Sequence, residues 1–142
     1  MDLDGTHDVV LCVNVLHAVK DPGSLPHLRS LVAPGGTLIV CDVTQDPNAR
    51  HPWNTIEGQL DDAFQDARES YEERSQDYAV AADVLKLHLH PLWLKHCYED
   101  VPFTRADFIA EYSAGFPGAD FTEVHRVQTG MVWNAPEQHT AP

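Results

Sequence analysis

Positive charge is scarce in this sequence: Lys and Arg number 9 against 22 Asp and Glu, giving a formal net charge of -13. A partner with a phosphate backbone needs clustered cations to displace its counterions, so no nucleic-acid partner is expected. Long apolar runs are missing as well. No stretch approaches the roughly 18 to 20 apolar residues of a membrane span, and the first residues lack the basic and apolar blocks of a secretion signal. The expectation is a soluble, cytoplasmic chain with no membrane partner. Cysteine is sparse, with 3 in the chain. Cys12 and Cys41 fall in strand-like runs where a small apolar thiol is usual, and Cys97 has no close sequence partner, so no disulfide is expected. The 8 glycines include the pair Gly35-Gly36, but none forms a G-x-G-x-x-G turn after a strand, the device that lets backbone approach a nucleotide cofactor.

What is present centres on residues 8–44. Val9 to Leu16 is a run of Val, Leu and Cys broken only by Asn14, too continuous for a strand with one wet face and too short for a free-standing helix. It predicts a parallel strand covered on both faces. Lys20-Asp21-Pro22-Gly23 marks a turn, after which Ser24 can cap a helix carrying Leu25, Leu28, Leu31 and Val32 at helical spacing, with Pro26 tolerated in its first turn. Pro34-Gly35-Gly36 is read as the helix stop. Residues 37–43 then supply a second β-rich apolar run. Parallel strands need a crossover of about this length, so the stretch is a βαβ unit.

The wording Asp8-Val9-Val10, Asn14-Val15-Leu16-His17 and Leu31-Val32-Ala33-Pro34-Gly35-Gly36 before a strand resembles the fourth-to-fifth-strand region of class I S-adenosylmethionine-dependent methyltransferases. The resemblance covers the later half of that fold. It implies an α/β, partial Rossmann-like sheet of parallel strands closed by a C-terminal antiparallel strand, with a long helical lid insertion. It also implies S-adenosylmethionine as cofactor and a small-molecule methyl acceptor. At 142 residues the chain has room for one domain, residues 1–142, whereas a whole enzyme of this class usually needs more. The short polar lead-in leaves no residues for the first three strands, so the chain alone is expected to lack a full cofactor site. A βαβ strand without its neighbour is a template for pairing. A homodimer, or a partner chain carrying the missing half, is the expected remedy.

By the same resemblance, the end of the first strand lies beside the methionine part of the cofactor, which makes Val13 and Asn14 the cofactor-binding candidates. His17 is the catalytic candidate. Methyl transfer to a hydroxyl needs alignment and removal of a proton, and a neutral imidazole suits the second task. In one branch of related O-methyltransferases a Leu-His pair here, usually followed by Asp-Trp, supplies the base. Leu16-His17 is followed instead by Ala18-Val19, which resembles C-methyltransferase domains of polyketide assembly lines equally well. A pocket-lining role and a purely structural role for His17 stay open beside the catalytic one. Asp42, at the end of the second strand, is a further pocket candidate or a loop cap.

Residues 54–97 read as a helical lid or dimerisation insertion. From the capping Thr55, the apolar residues Ile56, Leu60, Phe64, Ala67, Tyr71, Tyr78 and Leu85 recur at helical spacing, with a break near Ser75 and a stop before Pro91. The opposite face, including Asp61, Asp62 and Asp66, reads as a solvated acidic surface. His88, His90, His96 and Cys97 invite a zinc hypothesis, yet neither C-x-x-C nor H-x-x-x-H occurs among them, so no metal is expected and the histidines are placed on a rim or in water. Residues 104–135 complete the chain with a helix capped by Thr104 and Asp107, carrying Phe108, Ile109 and Tyr112 on its buried face, and a closing β-hairpin turning at Gln128-Thr129-Gly130. A frayed tail follows from residue 136. Two further readings remain: a non-catalytic methyltransferase-like binding or dimerisation subunit, and an unrelated small α/β enzyme.

Overall fold

The structure is a computed structural model and describes residues 5–19 and 23–137. The lead-in at residues 1–4, the Lys20-Asp21-Pro22 turn and the tail from residue 138 lie outside the described residues. The chain divides into two compact units, Met1–Pro47 with Pro102–Pro142, and Asn48–Val101.

The first unit is α/β. Strand β1 (His7–Val13) leads through a short 3-10 turn (Leu16–Ala18) and helix α1 (Ser24–Ser30) to strand β2 (Val32–Val43). β1 and β2 pair in parallel, with Val13 opposite Cys41, so the expected βαβ unit is present. Its boundaries differ from expectation in two places. Gly23, rather than Ser24, occupies the helix cap, and α1 ends at Ser30. Pro34-Gly35-Gly36 therefore lies inside β2, where Gly35 takes φ +73° and the β1 register slips between His7 and Val9. Glycine serves a strand bulge here by the same freedom that would have served a helix stop.

The chain returns at helix α5 (Arg105–Gly115), which the Thr104 side chain caps by accepting the Asp107 N–H at 3.1 Å, and closes with strands β3 (Asp120–His125) and β4 (Gln128–Asn134). The sheet order is β1-β2-β4-β3, with β4 antiparallel to both of its neighbours. The hairpin turns at Arg126-Val127, two residues before the expected place, because Gly130 is a strand residue opposite Thr122. A Cβ there would meet Val124 Cγ2 at 3.0 Å and Thr122 Cγ2 at 3.1 Å. That glycine answers a packing constraint, where the sequence suggested a turn.

Leu38 and Val40 of β2, Met131 and Trp133 of β4, and Phe108, Tyr112 and Phe116 from α5 and its end form the core, with Leu25 and Leu28 of α1 packed against it. Ile109 of α5, expected on the buried face, is exposed. Both helices thus serve one face of the sheet. On the other, Val9, Leu11 and Val13 are 60%, 65% and 46% exposed, so β1 is not covered on both faces as its composition predicted.

The second unit is helical: α2 (Ile56–Glu69), a π-turn (Ser70–Ser75), α3 (Tyr78–His88) and α4 (Pro91–Glu99). Thr55 caps α2 as expected, and the break near Ser75 is made by the π-turn followed by Gln76 at φ +51°. The buried face of α2 is Gly58, Gln59, Ala63 and Ala67, while Ile56 and Phe64 are exposed. Small residues permit close helix approach, so the helix is turned away from the face that its largest apolar residues suggested.

Candidate functional site

The site lies at the carboxyl ends of β1 and β2, where parallel α/β sheets offer their crevice. Two features bring the chain there. Asn14 leaves β1 in the left-handed region, φ +51°, which asparagine tolerates better than most residues. Its N–H donates to Cys41 O at 2.8 Å, and its Oδ1 accepts from Gln128 Nε2 at 3.2 Å, tying the end of β1 to β2 and β4. The 3-10 turn that follows buries Leu16 in the core and places His17 above the end of β2.

There His17 meets Asp42. The His17 backbone N–H donates to Asp42 Oδ2 at 2.8 Å, and its ring Nδ1 lies 2.7 Å from Asp42 Oδ1. Asp42 Oδ1 also accepts the Val43 N–H at 2.8 Å. An ionised carboxylate only accepts, so Nδ1 carries the proton in this pair and a neutral ring keeps its lone pair on Nε2. Asp42 is 2% exposed and the His17 side chain 12%. Burial on one side and a fixed ring on the other make a carboxylate–imidazole dyad, the arrangement by which an acidic residue holds a histidine in the tautomer and orientation of a general base.

The charge on Asp42 is felt by its neighbours. Burial first, and the Asp42 carboxylate second, push the Cys12 and Cys41 thiols up from their ordinary value. Tyr112 is pushed above its ordinary range by burial, then by Asp42, Cys12 and Glu111. These groups remain protonated at neutral pH, and no thiolate nucleophile arises beside the dyad.

His17, Asp42 and Asn14 are thus brought together, while Val13 and Asn14 are exposed at the strand end. The pairing of His17 with Asp42 was not legible in sequence, since 25 residues separate them. The signal was the coincidence of two strand ends, each finishing in a polar residue. Of the histidines of the helical unit, His88 departs from expectation and His90 meets it. His88 is buried, not at a rim, and stands between Asp62 and Asp66 of the face read as solvated, whereas His90 is exposed and caps α4 through Nδ1.

Comparison with known proteins adds short likenesses. No protein-family model matches the chain. A highly reducing polyketide synthase of Alternaria alternata is 50% identical over 44 residues, 30% of this chain and 2% of the synthase. One from Leptosphaeria maculans is 36% identical over 66 residues, 44% of this chain and 3% of the synthase. A solved structure titled as a possible exported protein from Bordetella parapertussis covers 95% of this chain, and 41% of its own length is covered, at 17% identity and a TM-score of 0.49, too low to assign a fold family. The chain is therefore similar, over less than half of its length, to highly reducing polyketide synthases, of which the matched stretches make up only 2–3%.

Proposed function

We propose that this chain belongs to the class I methyltransferases and forms the methionine side and acceptor side of an S-adenosylmethionine-dependent active site, acting on a small-molecule acceptor. The observation that carries the reading is the His17–Asp42 dyad at the carboxyl ends of two parallel strands. The motif resemblance, the β4 strand inserted antiparallel beside β2 and the partial likeness to polyketide synthases support it. Asn14, Leu16-His17 and the Pro34-Gly35-Gly36 wording lie in the same βαβ unit.

S-adenosylmethionine supplies, when bound, a methyl group already activated on a sulfonium. Val13 and Asn14 are the residues that would line its methionine end. His17 would do the remaining chemistry: Nε2 would take the proton of an acceptor hydroxyl or acidic C–H as the methyl passes to the acceptor, the methyl–sulfur bond breaking with its electron pair left on sulfur. Asp42 keeps Nδ1 protonated and stabilises the imidazolium that results. A base so placed contributes about 10²- to 10⁴-fold in rate. The Gly-rich turn for the cofactor's far end is absent from these 142 residues. A partner chain bearing it, docked on the exposed β1 edge and its open apolar face, completes the site in this reading. The lid role of the helical unit belongs to the same proposal.

Calorimetric titration of the folded chain with S-adenosylhomocysteine tests it. Micromolar binding, one ligand per chain, once a cofactor-binding half is supplied, that survives His17→Ala while methyl transfer is lost, is the expected result. A folded chain that neither binds the ligand nor gains binding from an added cofactor-binding half is the outcome that sinks it. That outcome favours the second reading, a non-catalytic methyltransferase-like binding or dimerisation subunit.

A further inference from the structure

We infer that the helical unit holds a divalent first-row metal ion between Asp62, Asp66 and His88. Among the described residues, these three side chains converge with one ligand atom each, all within 4.8 Å of one another. Asp62 and Asp66 stand four residues apart, so one turn of α2 stacks both carboxylates on one face. His88 ends α3 and places its ring against that face, with Nδ1 3.8 Å from Asp62 Oδ2 and Nε2 3.2 Å from Asp66 Oδ2.

The imidazole is the independent sign of a ligand. The His88 side chain is 10% exposed, and its Nδ1 is buried with no hydrogen-bond partner although it points toward a carboxylate. A buried ring nitrogen left without a hydrogen bond is destabilising, and coordination removes that cost.

Two carboxylates one turn apart repel each other. A divalent ion coordinated by a neutral imidazole offsets that repulsion. Metal–ligand bonds of about 2.0–2.2 Å put neighbouring ligand atoms roughly 3.0–3.6 Å apart. With one ligand atom from each residue and all within 4.8 Å of one another, closing on one ion needs a contraction of roughly 1–2 Å, which aspartate and histidine rotamers provide. One imidazole nitrogen with two carboxylate oxygens favours zinc or a similar first-row ion over magnesium or calcium, which prefer all-oxygen shells. Three protein ligands leave the remaining position to water. The Trp93 ring packs on His88 at 5.7 Å and limits how far the imidazole can swing.

The test is competition for zinc between the untagged full chain and a chromogenic chelator, with thermal melts run in parallel. Expected are one zinc per chain, at least about 100-fold weaker binding in His88→Gln and in Asp66→Asn, and unchanged binding in His27→Gln, an exposed histidine of α1. Zinc should raise the melting temperature of the parent chain and leave that of the two ligand variants unmoved. Magnesium at equal concentration should not displace zinc. The proposal is overturned if zinc is not bound, if the ligand variants bind it as tightly as the parent, or if magnesium competes equally. Should His88→Gln melt at a markedly lower temperature without metal, Asp62→Asn supplies the same comparison while leaving the histidine in place.

Discussion

Asp42 is the residue on which the active-site reading turns, because one buried carboxylate receives the His17 backbone N–H, the His17 ring and the Val43 N–H. Asp42→Asn keeps the volume but replaces an obligate acceptor with a group that can also donate, so the imidazole tautomer is no longer fixed. Methyl transfer should fall about 10²- to 10⁴-fold, with acceptor KM changed little. A loss confined to KM would make Asp42 a pocket residue only. Asp42→Ala strips the acceptor from all three N–H groups and should lower stability in denaturant melts by about 2–4 kcal/mol, from the cost of unpaired buried donors. Cys97 offers a different check. Burial, aided by the Asp62 charge, raises its thiol from an ordinary 9.0 to about 11. The folded chain therefore holds this proton more tightly than the unfolded chain, so the contribution to stability is complete below pH 9 and is lost as pH rises from 9 through 11. The raised Tyr112 adds a loss of the same sign at higher pH. Alkylation of Cys97 at pH 8 should be much slower in the native chain than in denaturant, followed by mass spectrometry of the digested protein.

At the scale of elements, the βαβ unit was legible because its signals are local and agree: two β-branched runs, an amphipathic segment between them and a turn of the right length. The break between α2 and α3 was legible near Ser75 for the same reason. The facing of α2 was not. Ala67 is buried as its spacing predicted, but apolar size pointed also to Ile56 and Phe64, whereas the packed surface uses Gly58, Gln59 and Ala63; pattern reading weights bulk where close approach rewards its absence. Asp62 and Asp66 were read as a solvated face and His88 as a zinc candidate set aside for want of a local motif; their convergence was not legible, because a site made of two helices has no fixed spacing along the chain. The two glycines of the β2 bulge were seen but assigned to the wrong element. A Cβ on Gly36 would lie 2.9 Å from Ala33 O and 3.0 Å from both His7 O and Asp8 O, all backbone atoms. Gly36→Ala should therefore cost about 1–3 kcal/mol, read as a lower denaturation midpoint with an unchanged slope. An unaltered midpoint would mean that the bulge rearranges freely.

Across the whole molecule, a net charge of -13 opposes the exposed apolar face of β1. Repulsion between copies dominates at low salt, where the screening length is about 30 Å at 0.01 M, and fades when that length falls to about 3 Å at 1 M. Light scattering should then show association that grows with salt, as Val9, Leu11 and Val13 find apolar surface on another chain. Leu11→Lys should abolish the growth, and association that persists in this variant would place the contact elsewhere. The position of β2 in the sheet has one more consequence. Leu38, Val40 and Asp42 share the parity that points into the covered side, while Ile39, Cys41 and Val43 point the other way. A slip of β2 by one residue would expel two core side chains and the His17 partner in a single step. A chain that folds with Leu38 and Val40 buried therefore arrives with Asp42 already turned to the side where it meets His17.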